Sequence, residues 1–183
     1  MTKNIYIIRH CEATGQLAEA PLTEKGFRQA SALANFLSGI KVDKVISSPY
    51  VRALQSIQPF AEENNLEVEI DERLSERILS SVSLYDWREK LEATFYDLDL
   101  KYEGGESSKE AMNRINEVVK RIITNDCNNT ILVAHGGIIS LLLHSYDKNF
   151  GFEQWSNLTN PDVFQLRISE NGSDLKHIRD TRV

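Results

Sequence analysis

Cysteine is scarce: Cys11 and Cys127 are the only two in 183 residues, and neither belongs to a Cys-x-x-Cys pair. This excludes a disulfide framework and a thiolate zinc cluster, and it implies a reducing, cytoplasmic setting. Long apolar runs are missing as well. Before Arg9 the N-terminal stretch offers only the four consecutive apolar residues Ile5 to Ile8, too few for a signal-peptide core. Nothing approaches the roughly 20 apolar residues of a membrane span. Basic residues are outnumbered, 21 against 27 acidic, for a formal net charge of −6. Without a Lys/Arg block the chain lacks the footprint that phosphate-backbone binding needs, so neither nucleic acid nor a membrane is expected as a partner. Any anionic ligand has to be held by local groups.

What remains is an ordinary globular composition, 41% hydrophobic and 26% charged, with no repeat, low-complexity tract or linker. One domain over residues 1–183 follows. Apolar runs of strand length alternate with helical patterns, the signature of an α/β fold with a mostly parallel sheet. Ile5 to Ile8 reads as the first strand. Thr23 can cap a helix with an apolar stripe of Phe27, Ala30, Leu33, Ala34 and Leu37, with Gly39 as its stop. Val42 to Ile46 reads as a strand, Ser48-Pro49 as the cap and first turn of a helix through Phe60, and Leu66 to Ile70 as a half-exposed strand. Ser83 and Asp86 resemble a capping box for a helix through Trp87, Leu91 and Phe95, and Ser107 with Glu110 forms a second one. Ile131 to Ala134 is a buried strand running through His135-Gly136-Gly137 into an apolar helix. Phe164 to Ile168 and Leu175 to Ile178 flank a hairpin turn.

In open α/β sheets ligands collect beyond the carboxyl ends of the strands. Three such ends carry unusual residues: Arg9-His10, then Ser47, Ser48 and Arg52, then His135-Gly136-Gly137. Two histidines and two arginines would meet in one crevice, with helix N-termini adding backbone N–H groups. Arginine forks match phosphoryl oxygens, and two histidines offer more than binding requires. One can attack phosphorus and form a phosphohistidine, and the second can hold oxyanion charge. An acid is still needed to protonate the leaving alcohol.

Taken in order, Arg9-His10-Cys11-Glu12, Leu22-Thr23-Glu24-Lys25-Gly26 with Gln29-Ala30, Ser47-Ser48-Pro49 with Arg52-Ala53, Leu74-Ser75-Glu76, Gly104-Gly105-Glu106-Ser107 and His135-Gly136-Gly137 resemble the signature of the histidine phosphatase superfamily. The resemblance covers nearly the whole chain. It implies a phosphoglycerate-mutase-like, three-layer α/β/α sandwich, with residues 75–105 as an insertion covering the substrate. It implies His10 as the phosphorylated nucleophile, with Arg9, Arg52 and His135 completing the phosphate pocket and Gly136 beside it. Glu76 becomes the proton donor and Gln16 a substrate-binding amide, with no metal and no cofactor. Three positions depart from the pattern: Cys11 stands for a usual glycine, Ala13 for a serine or threonine, and Gln16 for asparagine.

The expected activity is hydrolysis of a small phosphorylated metabolite by a monomer or homodimer. A cofactor-dependent phosphoglycerate mutase, or a non-catalytic phosphate-binding module, would use the same pocket residues. The 11 residues from His10 to Pro21, and the chain's end soon after the last hairpin, favour an open phosphatase over a mutase with long inserts. Residues 75–105 and 145–161 are expected over the crevice. There Tyr85, Trp87, Glu89, Tyr96 and Trp155 would admit a neutral or partly apolar alcohol more readily than a second phosphate. Glu106 reads as a carboxylate suited to a helix start. His144 and His177 read as structural or exposed, and no two histidines stand at metal-ligand spacing.

Overall fold

The computed structural model describes residues 2–179. The elements run β1 (Lys3–Arg9), α1 (Glu24–Leu37), β2 (Lys44–Ser47), α2 (Val51–Glu63), β3 (Val68–Ile70), α3 (Trp87–Tyr96), α4 (Ser108–Thr124), β4 (Asn129–Ala134), α5 (Gly136–Tyr146), α6 (Phe152–Ser156), β5 (Asp162–Ser169) and β6 (Gly172–Arg179). A single 3-10 turn, Glu72–Leu74, follows β3. The strands form one sheet in the order β3-β2-β4-β1-β5-β6. β3, β2, β4 and β1 are parallel neighbours, and β5 joins β1 antiparallel before the hairpin to β6.

Alternation along β1 distributes its side chains between two cores. Ile5 and Ile7 face the layer of α4 and α5, whereas Tyr6 and Ile8 face the layer of α1 and α2. Apolar residues on both faces are what a central parallel strand needs. Burying both β1 and β4 at the centre puts Arg9 beside Ala134 in register, so His10 and His135 leave the sheet side by side.

Local readings differ in a few places. Helix α1 ends at Leu37 with Ser38 as its cap, so Gly39 lies beyond the stop. Its inner stripe starts at Gly26, where an added Cβ would lie 2.0 Å from the Glu12 carbonyl oxygen. That close approach leaves Phe27 half exposed instead of buried. β2 begins at Lys44, later than the apolar run, and β3 keeps only Val68–Ile70. Tyr50, not Ser48, holds the cap position of α2, with no side-chain capping bond; the Ser48 hydroxyl meets His135 at 2.7 Å and accepts from Tyr50 N at 3.3 Å. Asp86 precedes α3 without a capping bond and pairs instead with Lys90 at 2.6 Å. The Ser107–Glu110 capping box forms on α4 as expected, and the final hairpin turns over Glu170-Asn171.

Candidate active site

His10 is buried directly beyond β1. Its Nδ1–H donates to the Cys11 carbonyl at 2.7 Å, which fixes the tautomer and leaves a lone pair on Nε2. Arg52, 1% exposed, donates to that lone pair from Nε at 3.2 Å, while its Nη1 is anchored on the Leu17 carbonyl at 2.7 Å. Burial, with Arg52 and Arg9 nearby, holds the His10 pKa down to about 3, against the Cys11 bond, which favours the charged form. The ring is therefore neutral at ordinary pH, as a nucleophile has to be.

His135 follows β4 and is fully buried. Its Nε2 meets the Ser48 hydroxyl at 2.7 Å, and its Nδ1 is sealed without a partner. The ring lies 5.1 Å from that of His10 and 4.6 Å from that of Tyr50. Burial and then the repulsion of His10, Arg52 and Arg9 lower its pKa to about 2. Arg9 donates Nη1 to the carbonyls of Leu158 and Thr159 at 2.9 and 3.4 Å, and its Nε has no partner. A Cβ on Gly136 would sit 3.1 Å from that Nε, so the glycine makes room for the guanidinium.

Glu76 reaches the same place from the segment after the 3-10 turn. Its carboxylate accepts from the backbone N–H groups of Gly137 at 3.0 Å and Ile138 at 2.9 Å, the positive end of α5, and from Arg77 at 2.7 Å. Gly137 cannot carry a side chain without displacing it, because a Cβ there would lie 2.7 Å from Oε1. The segment is held from below by Arg114, which donates to the carbonyls of Arg73, Ser75 and Glu76 at 2.6, 2.9 and 3.3 Å. Arg114 is paired in turn with Glu106.

A cleft of about 420 Å³ opens from this floor, lined by Arg9, Gly136, Gly137 and Glu76 below and by Gln16, Arg77, Leu79, Trp87, Leu91 and Trp155 above. Among the described residues Glu76 is the one carboxyl group in that lining. The structure thus gathers Arg9, His10, Arg52, His135, Gly136 and Glu76 at one point. Gln16 is exposed and contributes to the cleft lining. A neutral, tethered imidazole ringed by two guanidiniums, with an acid on the same floor, can bind a phosphoryl group and exchange it.

The sequence profile of the histidine phosphatase superfamily (branch 1) matches residues 5–181. The chain belongs to that superfamily. Among its relatives, the mouse fructose-2,6-bisphosphatase TIGAR is 37% identical over 84 residues. That match covers 39% of this chain and only 31% of the mouse protein. The adenosylcobalamin/α-ribazole phosphatase of Salmonella typhimurium is 26% identical over 165 residues, covering 76% of this chain and 77% of that one. Among solved structures, mycobacterial glucosyl-3-phosphoglycerate phosphatase shares the fold with a TM-score of 0.78 at 23% identity, covering 97% of this chain and 98% of that one.

Several contacts in the site were not anticipated. Ser48 is expected at the second strand end, but as a helix cap and not as the partner of His135; Tyr50 carried no motif, and Arg114 looked like any cation on a helix. Asp162, 1% exposed, braces the loop that holds Arg9 by accepting from Thr159 N at 3.1 Å and Val163 N at 3.0 Å and by pairing with His177. Asn160 of that loop donates to the His10 carbonyl at 2.8 Å. His144 and His177 are structural, the first on the Phe150 carbonyl and the second stacked on Phe164. Tyr85 and Tyr96, 99% and 81% exposed, and Glu89 do not line the cleft, whereas Trp87 and Trp155 do.

Proposed function

We propose that this histidine phosphatase is a metal-independent phosphomonoesterase working through a phosphohistidine on His10. The observation that carries the reading is the His10 tautomer: Nδ1–H is tied to Cys11, and the Nε2 lone pair faces the Arg52 guanidinium. In the first step Nε2 attacks phosphorus, the P–O ester bond breaks, and Glu76, as general acid, delivers a proton to the departing alcohol oxygen. In the second step Glu76 takes a proton from water, the water oxygen bonds to phosphorus, and the P–N bond breaks, releasing phosphate. Arg9 and Arg52 hold the equatorial oxygens, and His135 stabilises the charge that develops on them.

Residues 75–105 act as the substrate-covering part of a single domain, with Gln16 contacting substrate. The named activities of the relatives, all phosphatases, support water over a sugar-acid hydroxyl as acceptor and a small phosphorylated metabolite as substrate. The reading includes a cytoplasmic setting, in keeping with a chain that carries only two cysteines and no Cys-x-x-Cys pair.

The test is hydrolysis of p-nitrophenyl phosphate with chelator present, comparing wild type with His10→Ala, both checked for folding by circular dichroism. Chelator-resistant turnover, an acid-labile phosphoenzyme and loss of both in His10→Ala are expected. A folded, inert wild type would overturn the reading.

A further inference from the structure

We infer that the cleft above the phosphate pocket selects phosphomonoesters whose alcohol carries a flat apolar body, with Trp87 and Trp155 as the residues that grip it. The inference rests on the phosphatase reading for its reaction and adds the class of leaving group.

Three observations converge. First, the cleft is far larger than a phosphoryl group, about 420 Å³, a size that suits a drug-sized ring system. Second, its outer walls are apolar. Leu79, Leu91, Trp87 and Trp155 line it, and the two indoles pack edge to face, 6.4 Å apart at 80°, as one aromatic surface. Trp155 is fixed in place, stacked on Phe152 at 5.3 Å, which meets Phe95 edge-on at 6.0 Å. A prearranged aromatic wall loses little freedom on binding a ring. Trp87 remains 48% exposed, so it has surface left to cover.

Third, among the described residues the outer cleft offers no ready cation for a second anionic group. Arg77 contributes to the lining, but its guanidinium is committed beneath α3, with Nη1 on Thr94 Oγ1 at 2.8 Å and Nη2 on the Glu106 carbonyl at 3.2 Å. Its Nε is sealed from solvent. Arg88 is outside the cleft lining and lies over the Phe152 and Trp155 rings, at 5.1 and 5.9 Å from their centroids. Arg9 serves the phosphoryl group itself. An apolar ring is therefore the body that gains most from this wall.

The test compares kcat/KM for primary alkyl phosphates of similar leaving-group reactivity: 2-phenylethyl phosphate, ethyl phosphate, glycerol 3-phosphate, phosphoserine and fructose 1,6-bisphosphate. The phenylethyl ester should exceed the ethyl ester by about tenfold or more, and Trp87→Ala and Trp155→Ala should each shrink that ratio at least about fivefold. Circular dichroism reports folding, and Trp155→Leu takes over if the alanine variant does not fold. A ratio near one in wild type, a ratio unmoved by both variants, or preference for glycerol phosphate, phosphoserine or the bisphosphate would overturn the inference. If wild type hydrolyses none of the esters, the phosphatase reading fails, and calorimetric titration still decides this one. Binding of 2-phenylethyl phosphate about tenfold tighter than inorganic phosphate supports the apolar subsite, and equal binding overturns it.

Discussion

Arg52 donates its Nε–H to the Nε2 lone pair of His10 at 3.2 Å. The atom that must attack phosphorus is thus occupied by a cation until an anion arrives. An incoming phosphoryl oxygen competes for the same N–H, so binding of the anion and release of the lone pair are one event. Arg52→Lys keeps the charge but not the planar fork. It is expected to lower kcat/KM about a hundredfold and to weaken inhibition by inorganic phosphate, both read from steady-state kinetics. Wild-type kinetics in the lysine variant would exclude this exchange.

The two buried histidines make stability depend on pH. A histidine with a folded pKa below its unfolded value binds fewer protons when folded, so stability rises with pH between the two values. For His10 that window runs from about 3 to 6.5, and His135 extends it to about 2. Urea midpoints should therefore fall steadily from pH 7 to pH 5, and His10→Gln should flatten the slope. A midpoint independent of pH across that range would contradict neutral burial. By the same logic kcat/KM should show no acidic limb from a nucleophile titrating near 6.5.

Glu76 depends on the absence of a side chain at Gly137, where a Cβ would lie 2.7 Å from its Oε1. Gly137→Ala should push the carboxylate off α5 and cost about 10- to 100-fold in kcat, with phosphate affinity changed far less. Gly39→Ala is the control, since nothing lies within 4 Å of its added Cβ. Equal kinetics for the two variants would argue against the observed seat of Glu76.

Arg114 is the keystone under that acid. Its Nε and Nη2 grip the Glu106 carboxylate at 2.7 and 2.9 Å while its other contacts fix the backbone of residues 73–76. Arg114→Ala strands several polar groups and should cost about 1–3 kcal/mol in denaturant unfolding. It should also lower kcat more than it raises KM, since the acid and not the phosphate pocket is released. A loss confined to stability would assign Arg114 a purely structural role.

Much of this was legible in the sequence where chemistry coincides with a strand end. Arg9, His10 and His135 stand directly after continuous apolar runs, so the period of the strands and the rule for ligand position predict their meeting. Arg52, just past the second strand end, falls under the same rule, whereas Glu76 needed the family resemblance, because nothing in the local pattern around it says which way it points. Ser48 misled for a physical reason: a serine before a proline is equally good as a helix cap and as a hydrogen-bond partner, and His135 claimed it. Arg114 sits on a regular amphipathic helix whose periodicity says only that it faces away from the core. Its four acceptors come from segments folded back over it, and no window along the chain contains that information. Tyr85 and Tyr96 show the converse, since an aromatic near a crevice in sequence is not thereby in its wall.

The register of β1 with β4 has a consequence for how the protein loses activity. Arg9 pairs with Ala134, so the spacing between the two histidine rings is set by the ladder at the centre of the sheet, and the His10 amide itself bonds to the Ala134 carbonyl at 3.2 Å. The slowest-exchanging amides of a domain belong to such ladders, which open only with the whole molecule. The reacting groups are therefore built into the last part of the fold to come apart. Fraying of the loops around the cleft would alter which esters enter, while the capacity to take up a phosphoryl group would persist until global unfolding.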